Sequence, residues 1–273
     1  MSAQLSALRS SVESALAGRV PAPFTYRDRR AVETVSTGAP EIDLLTGGLP
    51  RGGLTEIFGP PCSGRTSLLV SALASRTAEA ESCALVDGRD SFDPCAAQLA
   101  GVRLQNLLWV RCKNIDQAMR ATDLLLQSGG FGMVAVDLSD LPSKTVRYVP
   151  LNAWFRFRRA VEDTPTILLV LGQESNAKTC ASLVLRTSAQ EALWTPARES
   201  KIAASDLLRY PASRLLDRFS ARAEVLRSRI QRAEIVAFSR DFAAAEKSGR
   251  AANFTLETRW GYPGGPPPET QTK

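Results

Sequence analysis

Gly59-Pro60-Pro61-Cys62-Ser63-Gly64-Arg65-Thr66 is the stretch on which the fold turns. A short apolar run, Leu54–Phe58, precedes it and reads as a strand, and the residues from Thr66 to about Arg76 read as a helix. Strand, glycine-bounded turn and helix make the setting of a phosphate-binding loop, G-x-x-x-x-G-K-[ST]. Its glycines let the backbone wrap so that successive N–H groups converge on phosphate oxygens, and the helix adds its positive end. In that pattern the lysine reaches the outer phosphates and the hydroxyl holds Mg²⁺. Here the hydroxyl is Thr66, but Arg65 stands where the lysine would. A guanidinium is a planar fork rather than a compact ammonium, and it does not sit over the loop in the same way. Cys62 occupies a position the motif leaves unconstrained, which favours a permissive loop residue over a redox thiol.

Outward from the loop, strand and helix signals alternate. Cys83–Asp87, Leu107–Cys112, Met133–Leu138 and Thr166–Leu171 are apolar runs of strand length. Between them lie helical patterns at Cys95–Leu99, Ile115–Leu126 and Leu151–Val161, the first opened by an Asp93 cap and Pro94. This alternation predicts an α/β fold with a mostly parallel, buried central sheet flanked by helices. The second half changes character. Leu183–Arg186, Glu224–Arg229, Glu234–Ser239 and Phe254–Trp260 read as shorter, antiparallel C-terminal strands, with a helix expected over Ala203–Phe219. Leu5, Leu8, Val12 and Leu16 recur at helical spacing, so residues 1–35 are expected to form an amphipathic helix and a linker, with the core over 36–260. That helix either packs on its own core or docks onto a neighbouring subunit. Residues 261–273, rich in proline and glycine, are expected to be an extended or disordered tail.

Composition excludes several chemistries. The 273 residues contain no histidine, so Ser-His-Asp triads, histidine bases and histidine-ligated metals are ruled out together. Five cysteines without a C-x-x-C pair read as reduced thiols of a cytoplasmic protein, and no apolar run approaches the roughly 18 residues of a membrane span. The formal charge is +6, and eleven Lys/Arg against six Asp/Glu between Lys201 and Arg250 place most of that excess in one stretch. A basic stretch contacts nucleic acid or an acidic partner, or it is a solvated face. Arg222, Arg227, Arg229 and Arg232 leave the same choice open on a strand. In Trp154–Arg159 aromatic and cationic residues interleave, as in a surface that stacks bases. On a helix, though, Leu151, Trp154, Phe155 and Arg158 share a face, which favours packing and leaves Arg156 and Arg159 for a partner.

The acidic partner of a phosphate loop belongs at the end of an apolar strand, and Met133-Val134-Ala135-Val136-Asp137 supplies it, with Asp137 set to contact Mg²⁺. The order of these pieces resembles the RecA recombinase family over about 36–260. Ser36–Asp43, Gly47–Gly52 and Glu56–Pro60 look like the RecA lead-in to its P-loop, and Val86-Asp87 through Asp93-Pro94 continues in register. The resemblance implies a RecA-like P-loop core that binds ATP and Mg²⁺ through Gly59, Pro60, Pro61, Cys62, Ser63, Gly64, Arg65, Thr66 and Ser67, with Thr66 and Asp137 at the metal. Gln173, directly after a strand, matches the glutamine with which that family senses the nucleotide.

Departures from the pattern matter equally. Arg89 stands where the family's water-positioning glutamate would be, and a positioned base contributes roughly 10²–10⁴-fold to rate. The segments between Asp137 and Thr166 and between Gln173 and Leu183 are shorter than the mobile DNA-binding loops they correspond to. A degraded ATPase site with truncated loops resembles the ImuA group, which shades into SulA-like proteins. That resemblance implies an accessory role in SOS-induced translesion DNA synthesis beside an ImuB-like Y-family polymerase homologue, an error-prone DnaE-type polymerase and RecA. Little or no ATP hydrolysis and weak DNA contact are expected. A weak DNA-dependent ATPase, a DNA-binding filament protein and a SulA-like inhibitor of cell division are the other readings.

Overall fold

In the computed structural model the described residues are 11, 14, 32–196, 214–229 and 250–257. The chain divides into two compact units, 1–32 and 33–273. Of the first, Ser11 and Ser14 are helical. The expected Leu5–Leu16 stripe, the Glu234–Ser239 strand, Arg232 and the 261–273 tail lie outside the described residues.

The second unit is built on an eight-stranded sheet. A small ribbon of β1 (Thr34–Val35) and β2 (Leu49–Pro50) brackets helix α1 (Pro40–Thr46). The sheet strands then follow as β3 (Leu54–Phe58), β4 (Cys83–Asp87), β5 (Leu107–Arg111), β6 (Met133–Asp137), β7 (Ile167–Gly172), β8 (Leu183–Pro196), β9 (Arg214–Ser228) and β10 (Ala251–Glu257). Their spatial order is β10-β9-β8-β3-β7-β6-β4-β5. β5 to β8, with β3 and β4, run parallel, and β9 and β10 add antiparallel to β8. The helices are α2 (Arg65–Ala78), α3 (Pro94–Leu99), α4 (Ile115–Ser128), α5 (Ser143–Arg147) and α6 (Leu151–Val161).

The all-apolar β7, like the mostly apolar β4 and β6, follows from burial on both faces. Alternate residues of β7 part company: Ile167, Leu169 and Leu171 join one core with Leu68, Leu69 and Leu73 of α2. Leu168 and Val170 join a second core with Trp154, Phe157 and Val161 of α6. The caps expected from sequence form, since the Asp93 carboxylate accepts from the Cys95 and Ala96 N–H groups.

Two expectations are corrected. Residues 214–219 are strand, not the end of a helix. Their backbone pairs with the far half of β8, which is 14 residues long and pairs with β3 only over Leu183–Arg186. Inter-strand hydrogen bonding there overrides a locally helical pattern. On α6 the buried face is Trp154, Phe157 and Val161, whereas Leu151 and Phe155 are exposed. Phe157 follows Trp154 by three residues and Val161 follows Phe157 by four, which sets the buried face, and Leu151 and Phe155 lie off it. Arg156 is exposed, and its Nε donates to Asp123 Oδ1 at 2.9 Å.

Candidate nucleotide site

The phosphate loop leaves β3 at Phe58, beside the end of β7, where the Gly59 N–H donates to the Gly172 carbonyl at 3.3 Å. This is the carboxyl edge of a parallel sheet, where open α/β folds bind ligands. Two glycines are obligatory here. A Cβ on Gly59 would meet the Thr187 carbonyl oxygen at 2.3 Å, and Gly64 sits at φ +85° as the residue before α2. The loop is latched from below by residues the motif does not contain. Ser63 Oγ and Thr187 Oγ1 are paired at 2.8 Å in a fully buried position, and the Phe254 ring and Ala221 pack under Gly64. Pro60, Pro61, Cys62 and Thr66 are exposed at the rim, and Ser67 is half-buried.

Arg65 behaves differently from a phosphate-loop lysine. It is 6% exposed, and its guanidinium donates to the Gly172 carbonyl at 2.6 Å, at the end of β7. Burial lowers its affinity for the proton, and the charges of Asp137 and Asp140 oppose that shift. The guanidinium is therefore occupied as a tether between helix and strand.

Asp137 ends β6, half-buried, and its Oδ1 accepts the Ser139 N–H at 2.9 Å. Burial pushes its carboxyl up; hydrogen bonding from Ser139 partly offsets this, and Asp140 and Asp87 add to it. A raised carboxyl contributes stability that is full below the unfolded-state value and is lost as pH rises through the folded one. Asp137→Asn should therefore raise the melting temperature at neutral pH, the gain shrinking as pH falls toward the ordinary carboxylate range. A thermal melt series against pH reads this directly, and an equal gain at all pH values would contradict it.

Gln173 follows β7 and is fully engaged. Its Nε2 donates to the Ser139 carbonyl at 2.8 Å and its Oε1 accepts from Ser143 Oγ at 2.8 Å. Arg89 is exposed on the turn after β4, its N–H held by Asp87 Oδ1 at 3.2 Å, while the neighbouring Gly88 N–H donates to the Asp137 carbonyl. Sequence reasoning gave no site role to Asp87, which is buried and also accepts from the Phe92 N–H and Trp109 Nε1. It also passed over Thr187 and Phe254, for which no local motif exists.

The residues fit a Mg²⁺–nucleotide phosphate in part. The loop, the start of a 14-residue helix, the exposed Thr66 hydroxyl and the Asp137 carboxylate are present together at one sheet edge. Thr66 and Asp137 alone make an open metal site, as suits Mg²⁺, which keeps several waters and substrate oxygens. The lysine-like cation over the loop is missing, because Arg65 is turned to Gly172.

Comparison with known proteins agrees with this geometry. Residues 18–144 match the RecA N-terminal domain. The RecA proteins of Rhizobium rhizogenes strain K84 and Rhizobium leguminosarum bv. trifolii strain WSM2304 are each 41% identical over 108 residues, 39% of this chain. The match spans 30% of each of those relatives. Sheet, helices and antiparallel strands make this a RecA-like α/β fold.

Proposed function

We propose that this RecA-like chain is an accessory protein of SOS-induced translesion DNA synthesis, working by protein binding with nucleotide as a conformational ligand rather than a substrate to be turned over. The observation that carries the reading is Arg65, whose guanidinium is buried against the Gly172 carbonyl instead of standing over the loop. Arg89, in the place of the water-positioning glutamate, supports it further. The partners on this reading are an ImuB-like Y-family polymerase homologue and an error-prone DnaE-type polymerase, with RecA as a third. Among the described residues no helix is long and apolar enough to cross a membrane. The short segment after β6 is filled by α5 and α6, whose Val146, Trp154, Phe157 and Val161 are core residues, so little of it is free to grip DNA.

When nucleotide binds, the Gly59–Ser67 backbone would cradle its phosphates, and Thr66 and Asp137 would hold Mg²⁺. Gln173 would exchange its bonds to Ser139 and Ser143 for the terminal phosphate. A ligand shifts a conformation only by its differential affinity for the two states. The test is titration of a fluorescent ATP analogue with Mg²⁺. Saturable binding tighter than about 100 µM (about −5.5 kcal/mol), weakened in Thr66→Ala, is expected. Gly64→Asp is a poor control, since its Cβ would meet the Phe254 ring at 2.9 Å and test folding instead. Absence of binding up to millimolar analogue would leave the loop an architectural remnant and sink the nucleotide half of the proposal.

A further inference from the structure

The two short segments after β6 and β7 meet at the carboxyl edge of the sheet and enclose a cleft of about 210 Å³. Arg147, Val149 and Leu151 line one side, and Glu174, Asn176 and Lys178 line the other. Arg147 and Glu174 bridge it through a 2.7 Å ion pair whose side chains are largely in solvent, so the bridge is weak and readily exchanged. Beside the cleft, Tyr148 is 85% exposed, Leu151 37% and Phe155 45%. Tyr148 precedes α6, and Leu151 and Phe155 lie on α6 outside the face formed by its buried Trp154, Phe157 and Val161. α6 already has a complete core face, so this second apolar strip is surplus to folding. Exposed apolar strips with a polar rim mark contact sites.

The rim is cationic. Lys144 and Lys178 are exposed, and Arg227 and Arg229 donate to the backbone carbonyls of Lys178 and Thr179 rather than to carboxylates. Glu174 is the acidic residue lining the cleft, and it is paired. We propose that this cleft docks an acidic polypeptide segment of a partner protein, one apolar side chain seated on Val149 and Leu151 and its carboxylates facing the cations. An aliphatic floor with room for one side chain suits a peptide anchor. Bases instead stack on aromatic platforms, and among the described residues those that line the cleft include none. The assignment rests on the reading of the chain as a protein that works by binding, but it does not depend on nucleotide, so failure of the ATP-analogue titration leaves it standing.

The experiment is selection of displayed random short peptides on the full chain, with depletion on Leu151→Asp and Lys178→Glu. Both positions are exposed, and thermal melts establish that the variants fold. Selected peptides should carry net negative charge and one Leu, Ile, Met or Phe. A selected peptide should weaken about tenfold in Leu151→Asp and less, in a salt-dependent way, in Lys178→Glu. Peptides without charge bias, or equal binding to the variants, would overturn the assignment. So would an oligothymidylate that binds and is lost in the same two variants, since that would make the surface a nucleic-acid site.

Discussion

Glu56→Ala should destabilise the folded protein by about 4 kcal/mol in urea unfolding. Glu56 is 1% exposed in the middle of β3, where a charge is otherwise excluded. Its carboxylate accepts Ser175 Oγ at 2.6 Å and the N–H groups of Asn176 at 2.6 Å and Ala177 at 2.9 Å. Those donors belong to the loop that leaves β7. Truncation strips all three of their acceptor, with the Ala177 N–H in a buried position, and hydrogen bonds to a charged group are worth about 1.5–3 kcal/mol each before relaxation. Glu56→Gln, which keeps one acceptor oxygen and the side-chain volume, should lose about half as much. A loss under about 1 kcal/mol for alanine would mean that water or neighbouring groups replace the carboxylate, and that the loop is held by other contacts.

That buried carboxylate explains why the segment from Gln173 to Leu183 is so compact. It turns by a short 3₁₀ helix, Lys178–Cys180, with Ala177, Cys180 and Ala181 buried. The cleft lies between this compact segment and α5. The shortness was legible in the sequence. Its consequence was not, because Glu56 lies 119 to 121 residues from the atoms it binds.

The same division between local and distant runs through the molecule. Leu54–Phe58, Cys83–Asp87 and Leu151–Val161 have the expected bounds, since short apolar runs between turn signals and a long helical period are local properties. The RecA-like arrangement was legible for the same reason: each piece is a contiguous motif. The second half was read less well. β8 continues ten residues past Arg186 because β9 lies alongside it, a partner that no window of sequence reveals. On the site itself, the loop glycines, Thr66 and Asp137 could be named from spacing, and Arg65 could be marked as a departure. That its guanidinium would find a carbonyl 107 residues away depends on β7 lying beside β3, which is a tertiary fact. Phe254 under Gly64 is a still longer reach, brought there by β10 pairing with β9.

Arg65→Lys should strengthen binding of the Mg²⁺–ATP analogue about a hundredfold, or about 2.7 kcal/mol. The argument begins with what the arginine now does. Its guanidinium is desolvated, sits in the field of Asp137 and Asp140, and is bonded to Gly172. To bind phosphate it must leave that carbonyl, so part of the attraction to the ligand is offset by a broken charge-assisted bond. A lysine ammonium is a compact point charge on a flexible stem, suited to the outer phosphates of a nucleotide in this loop. Loss of the Gly172 tether should lower stability by only about 1–2 kcal/mol, because the strand end remains paired with β3 and β6. By the RecA resemblance Arg89 stands where a base would position water, so turnover should stay negligible in Arg65→Lys. Adding Arg89→Glu should then bring measurable hydrolysis, and a phosphate-release assay on the double variant separates binding from chemistry. If Arg65→Lys binds no more tightly than the parent chain, the tether is not what limits affinity, and the loop with its latch of Thr187 and Phe254 must itself be closed to phosphate. Tighter binding without turnover, followed by turnover in the double variant, would make Arg65 and Arg89 two separable steps away from an ATPase: one withdrawing the cation from the phosphates, the other removing the base from the water.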